Sequence, residues 1–322
     1  MPASSDPGPL SVNPQTNERK ALGDREVEAL VRGLDNLNWN LHVQAEIFRL
    51  GQRAVPALAS FLNGPPSQFP DGRVLAAEAL GRIGGEAAFE GLCEALVAHP
   101  LEALSPVLRL SEETVQSAVA RELGRIGDRR AAPLLLDALR RSRLLGAADA
   151  LVQWREPDAL PWLIEGLEDA FKRDRLSEII LKAGPAAVSH LIATLEHRVM
   201  RHGDELLPSI ERRAQALKLL GLLDAKEARD AMAAALRDPH EVVRMEAAIA
   251  LVAVAESALA VVAAPALLAG LNHPDFIQRD RCADALVRIG PQCARIIEKS
   301  FPSLTVHART SASEVLRRLN ER

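Results

Sequence analysis

Tyrosine is absent from the 322 residues, aromatics make up 3% of them, and the three cysteines Cys93, Cys282 and Cys293 are widely scattered. Without aromatics the core has to come from Ala, Leu, Val and Ile, which favours helices over strands. An odd, dispersed set of thiols in a chain large enough to fold without staples excludes a disulfide framework and points to a reducing, cytoplasmic setting. The net charge of −4 supplies no basic footprint for phosphates, so neither nucleic acid nor an anionic membrane surface is expected as partner. Only residues 247–271 are apolar enough to raise the question of a membrane span. Glu256 near their middle, Pro265 and an alanine-rich composition make a buried helical hairpin the better reading. Residues 1–20 carry Pro2, Pro7, Pro9 and Pro14 and lack a signal-peptide core, so a disordered tail is expected ahead of one structural unit over 21–322.

What the chain does contain is a repeat. The segment from Arg73 to Gly84 reads Arg-Val-Leu-Ala-Ala-Glu-Ala-Leu-Gly-Arg-Ile-Gly, and related segments follow it. Anchored on the closing residue, copies end at Gly51, Gly84, Gly127, Arg155, Gly184, Asp224, Ala255 and Gly290, a mean spacing of about 34 residues, the length of a helix pair. Four residues before each anchor stands a large aliphatic, among them Leu80, Leu123, Leu151, Leu220, Leu251 and Leu286. Eight before stand mostly small residues, one helical turn back on the same face. Eleven before, five of the eight are arginine: Arg73, Arg173, Arg213, Arg244 and Arg279. These five are expected to occupy equivalent structural positions near the starts of first helices and to pair with loop carboxylates or carbonyls. Glycine at the anchor takes a left-handed backbone without steric cost and ends the first helix. Pro56, Pro133 and Pro161 then open second helices, in a turn where a missing N–H costs nothing.

One such hairpin cannot bury its apolar face alone, so the copies must stack. The fold class is therefore all-α, a right-handed α-α superhelix of about eight helix pairs. Longer loops are expected at 63–72, 98–111 and 198–209. Flanking helices are expected at 24–37 and 306–319, with Ser311 and Glu314 at capping-box spacing in the second.

The segment from Asp238 to Leu251, with Asp-Pro, Val-Arg, Ala-Ala and Ala-Leu, resembles the HEAT repeats, in particular the subtype first associated with phycobilisome lyases, and the likeness spans residues 21–322. It implies that first helices line the convex face and second helices the concave one. It implies no residue of a bilin-attachment site. Deoxyhypusine hydroxylase, an enzyme built on this repeat, carries His-Glu iron ligands inside it. The corresponding place here reads Met245-Glu246, without the imidazole, and His240-Glu241 lies five residues too early, so no metal is expected. Alkylpurine DNA glycosylases are similar solenoids that use aromatic, Asp and Arg residues. Here Trp154 falls in the apolar column and Trp162 in an apolar run, leaving only Trp39 free for recognition.

Other constellations dissolve on inspection. Gly81 to Gly85 lacks the preceding strand and the Gly-Lys-Ser/Thr end of a phosphate loop. His190, His197 and His202 are spaced seven and five apart, where ligands on adjacent helical turns need three or four, and a solvated loop is expected. There is no Gly-x-Ser-x-Gly, His-Glu-x-x-His or Cys-x-x-Cys. Charge is distributed unevenly, with Arg129, Arg130, Arg140, Arg141 and Arg143 on one pair and Glu165, Glu168 and Asp169 on the next. A protein partner could read such a surface, and a solvated face fits the same pattern. The sequence thus points to a noncatalytic scaffold without cofactor that binds a protein or peptide through its concave face. The alternative is an enzyme or enzyme subunit of the bilin-lyase or hydroxylase kind.

Overall fold

The computed structural model describes residues 22–36 and 40–321, so the expected tail and Trp39 lie outside the described residues. A flanking helix, α1 (Asp24–Arg32), leads into the first pair, α2 (Asn40–Leu50) and α3 (Val55–Leu62). Three pairs follow: α4 (Asp71–Ile83) with α5 (Glu86–Ala98), α6 (Pro106–Ile126) with α7 (Ala132–Ser142), and α8 (Leu145–Gln153) with α9 (Leu160–Glu165). Next come α10 (Arg173–Ala183) with α11 (Val188–Glu196) and α12 (Leu207–Leu222) with α13 (Arg229–Ala235). In the seventh pair α14 (Glu241–Val254) is joined through the short α15 (Ser257–Ala260) to α16 (Ala264–Gly270); in the eighth, α17 (Phe276–Ile289) meets α18 (Ala294–Ser300). Helix α19 (Val306–Asn320) closes the stack, giving an α-α solenoid of eight pairs with a helix at each end.

The repeated residues explain the repeated shape. Ile47, Leu80, Leu123, Leu151, Ile180, Leu220, Leu251 and Leu286 are all fully buried, and the small column one turn earlier, from Val43 through Ala76 to Cys282, is buried beside it. Small residues let first helices approach: a Cβ added to Gly124 on α6 would sit 2.6 Å from the Ala150 Cβ on α8. Seven of the eight anchors have positive φ, including Gly127 at 81° and the non-glycine residues Arg155 and Asp224 at 55° and 51°. The eighth, Ala255, is extended, with φ −95°. Pro56, Pro133 and Pro161 sit in the first turns of α3, α7 and α9.

Several expectations need correction. Helix α6 starts at Pro106, so half of the loop expected at 98–111 is helical. The segment 198–209 holds a two-stranded antiparallel ribbon, Met200–Arg201 with Asp204–Glu205, the one departure from all-helical structure among the described residues. Helix α19 is capped by Thr305, whose side chain accepts from the Ala308 N–H, and not by Ser311, which lies inside the helix. The reason is the repeat itself: with the helix starting at 306, the Arg309 guanidinium reaches back to the carbonyls of Phe301 and Pro302. Residues 247–271 form the end of α14, α15 and α16, a bent and largely buried unit. Residues 173–196 are apolar and long enough to cross a membrane by length and composition, but Gly184 (φ 63°) turns them into α10 and α11.

Candidate functional site

The stack has two edges, one formed by the turns inside pairs and the other by the loops between pairs. The five arginines of the repeat all lie at the second edge. Arg73 donates to Leu62 O at 2.8 Å, Arg173 to Leu167 O at 2.7 Å, Arg244 to Asp238 O and Pro239 O, and Arg279 to His273 O and Pro274 O. Each guanidinium thus meets carbonyls at or just beyond the end of the preceding second helix, groups that have no intrahelical partner and carry the negative end of its dipole. Arg73 also bridges to Glu112 on the next first helix at 2.5 Å, both side chains being buried, and Arg173 pairs with Glu211. Arg213 points instead at carboxylates, Glu205 at 2.7 Å and Asp238 at 2.6 Å. Two further residues join the series. Gln116, at the arginine position of the third pair, donates to His99 O at 2.7 Å, and Arg309 extends the series onto α19.

The charged residues singled out on α7 do not form one patch. Arg129 and Arg130 lie at the start of that helix, at the turn edge, while Arg140, Arg141 and Arg143 lie at its end, at the loop edge. Eleven residues of helix separate the groups by about 16 Å. Most of these arginines are engaged within the chain. Arg130 is held by Glu86 (2.7 Å) and Asp128 (2.6 Å) and stacks on Phe89. Arg129 donates to Trp154 O and faces Glu156 at 3.7 Å. Arg140 and Arg141 share Asp137, and Arg143 pairs with Glu165 at 2.8 Å. Of the acidic residues, Glu168 holds Arg212 at 2.5 Å, and Asp169 accepts from the Phe171 N–H at 2.9 Å. Trp154 is core, its indole N–H donating to Gly124 O at 3.0 Å, and Trp162 is half-buried beneath Arg143.

What the sequence missed is a set of grooves around α11. Between α9, α11 and the start of α12 lies a groove of about 510 Å³, with Ile164, Ala193 and Val199 as apolar wall and Glu165, Glu168 and Arg212 as polar rim. His190 and His197 line it together. They are not in a solvated loop: His190 is on α11 and His197 caps it, and a spacing of seven puts both on one helix face two turns apart. Only His202 lies in a turn, that of the ribbon, with φ 54°. A second groove of about 480 Å³ shares His190 and is lined by Arg155, Lys182 and Leu160; a third of about 240 Å³, between α11 and α13, is lined by Arg198, Arg213 and Arg237. The first and third open on the second helices, whereas the second lies at the turn edge, between the ends of α8 and α10 and the turns that follow them.

Beside the third groove sits a buried polar cluster that ties the ribbon to the stack. Burial alone would raise the Glu205 and Asp238 carboxyls, but hydrogen bonds from Arg213, with Ser209 on Glu205 and the His240 N–H on Asp238, hold both below their ordinary values. Arg198 adds a second cation, 2.8 Å from Asp238.

Models of HEAT repeats match residues 55–144, 101–182 and 204–286. The chain belongs to the HEAT-repeat family. Among solved structures with related HEAT-like architecture, human deoxyhypusine hydroxylase in complex with glycerol is 20% identical, covering 85% of this chain and 99% of that one with a TM-score of 0.30. The CpcE–CpcF complex of phycocyanin lyase from Nostoc sp. PCC7120 is 19% identical over 99% of each chain, with a TM-score of 0.27. An engineered protein is 16% identical over 93% of this chain and 98% of that one, with a TM-score of 0.22. No curated protein matches. At the place where the HEAT hydroxylase resemblance implies metal ligands, Met245 is buried against the core and Glu246 is clamped by Arg281 at 2.5 Å. Among the described residues no group of three or more His, Cys, Asp or Glu is arranged to hold a metal.

Proposed function

We propose that this HEAT-repeat chain is a noncatalytic scaffold that binds a protein or peptide on its concave face, formed by the second helices. The observation that carries the reading is the two grooves on either side of α11, open, partly apolar and rimmed with both signs of charge. Clefts of this size suit side chains of an extended or helical peptide, with the apolar walls giving affinity and the charged rims register. A cytoplasmic location fits three free cysteines, of which Cys282 and Cys293 are buried; burial pushes the Cys282 thiol up to about 12, leaving it protonated and unreactive. The test is affinity purification from the native cell with wild-type chain and with Ala193→Trp, which fills the groove from an exposed position. A partner recovered with the first and lost with the second, at equal helicity, supports the reading. Equal recovery moves binding off this face. A chromophore or metal copurifying stoichiometrically would favour an enzyme instead.

A further inference from the structure

The groove between α9 and α11 is walled by two matched stripes. Pro161, Ile164, Glu165 and Glu168 recur at helical spacing along α9 and the short 3-10 turn that continues it. His190, Ala193, Thr194 and His197 recur at the same spacing along α11. Arg212, from α12, completes the lining. Its side chain is 4% exposed, with Nη1 donating to Glu168 at 2.5 Å and Nη2 to His197 O at 2.9 Å. Its Nε–H is buried and has no acceptor among the described residues. A buried guanidinium N–H left without an acceptor is costly in a folded chain, and a ligand that brings an acceptor relieves that cost.

The charges around the groove give the sign of that ligand. Both carboxylates are already met by a guanidinium of the chain, Glu165 by Arg143 at 2.8 Å and Glu168 by Arg212. The His190 and His197 rings and the Thr194 hydroxyl have no hydrogen-bond partner among the described residues. An imidazole can add only positive charge, so a basic ligand finds no unmatched carboxylate here, whereas an acidic one finds unmatched donors. At its His190 end the groove borders the one at the turn edge, where Arg155 has no carboxylate partner among the described residues. Donors and cations thus stand at both ends, His197 with Arg212 and His190 with Arg155. Seven residues of α11 separate the two imidazoles by about 10 Å.

We propose that this groove takes an acidic peptide segment. One carboxylate meets the end formed by Arg212 and His197, a second meets the His190 end, and the residues between them lie on Ile164 and Ala193. Carboxylates three residues apart in a polyproline-II segment, or seven apart in a helix, match the span of about 10 Å. A carboxylate suits the place because hydrogen bonds between ionised partners are the stronger ones. The inference rests on the peptide-binding reading of the concave face and adds the partner's charge to it.

The test is selection of a randomised peptide phage library on the full chain, keeping only peptides that fail to bind the Ala193→Trp chain. The kept peptides should be enriched in Asp and Glu at a spacing of three or seven. Replacing those residues by Asn and Gln in the synthetic peptide should weaken binding at least tenfold. That preference should fall below threefold in Arg212→Met/Glu168→Gln, which removes the ion pair as a unit, and in His190→Gln/His197→Gln, which leaves the core untouched. Because the readout is the ratio between the acidic and the amide peptide on one chain, a mere loss of stability does not move it. Groove-dependent peptides that are neutral or basic overturn the inference and leave the peptide-binding scaffold standing. An acidic preference that persists in either double variant overturns it as well. So does the absence of any groove-dependent peptide, and copurification with the Ala193→Trp chain then judges the scaffold reading separately.

Discussion

Arg213 shows how one side chain fixes a local arrangement. Its guanidinium is almost fully buried and neutralises two equally buried carboxylates, Glu205 from the ribbon and Asp238 from the loop ahead of α14. Removing it leaves two charges without their main cation, so Arg213→Met should cost about 3–5 kcal/mol in chemical denaturation. A loss below 1 kcal/mol would mean that Arg198 alone compensates both. The same cluster sets an acid limit. Because both carboxyls titrate lower in the folded chain than in the unfolded one, their contribution is present above the ordinary values of 4.5 and 3.8 and is lost as pH falls through the folded values. Melting temperature should therefore drop more steeply below about pH 4 in wild type than in Glu205→Gln/Asp238→Asn, which has nothing there left to protonate. In the sequence Arg213 was legible as a member of a ladder; its switch from carbonyls to carboxylates was not, because Glu205 reaches it only through the folding of the ribbon.

At the level of the helix, the pairs stand on two devices, a buried aliphatic and a close crossing. Leu123 is fully buried, and truncation to alanine should cost about 2–5 kcal/mol. Hydrogen exchange should then rise in α6, α7 and their immediate neighbours before α17 or α18, and uniform acceleration along the chain would contradict nearest-neighbour stacking. Gly124 sets the α6–α8 distance. A valine there has to push aside Ala150 and take the Gly124 carbonyl away from the Trp154 indole, so Gly124→Val should destabilise by about 1–3 kcal/mol, read by urea unfolding. Helix ends were harder to read than helix cores. The anchor at Asp224 was found from register alone and does take positive φ, whereas Ala255 does not, because the chain there leaves α14 in an extended conformation for the extra turn α15. Ser311 had the right residue spacing for a cap and the wrong tertiary setting, since Arg309 has to stand in the helix's first turn.

For the molecule as a whole, each pair is held by its neighbours, with ion pairs such as Arg73–Glu112, Arg281–Glu246 and Arg318–Asp284 crossing from one first helix to the next. Deleting α19 exposes the apolar face of the eighth pair to water. Exchange in α17 and α18 should accelerate while α4 to α7 keep their protection, and loss of protection throughout would show a single cooperative unit instead. Surface charge behaves differently. Arg140→Glu with Arg141→Glu breaks exposed pairs with Asp137, each worth about 0–1 kcal/mol, so thermal melting should move by only a few degrees whatever happens to partner binding.

Sequence alone determined the all-helical repeat, the eight pairs, the buried columns and the arginine ladder, because each rests on residues a fixed short distance apart, and a period of one helix turn or one hairpin survives any global arrangement. It did not determine which charges meet. Arg129 and Arg143, close in sequence, are carried to opposite edges by the length of α7, while His190 and His197, seven apart and dismissed as loop, are brought to one groove wall by α11. Grooves, edges and ion-pair partners depend on distances between elements that no local pattern encodes, and those were decided by the tertiary structure.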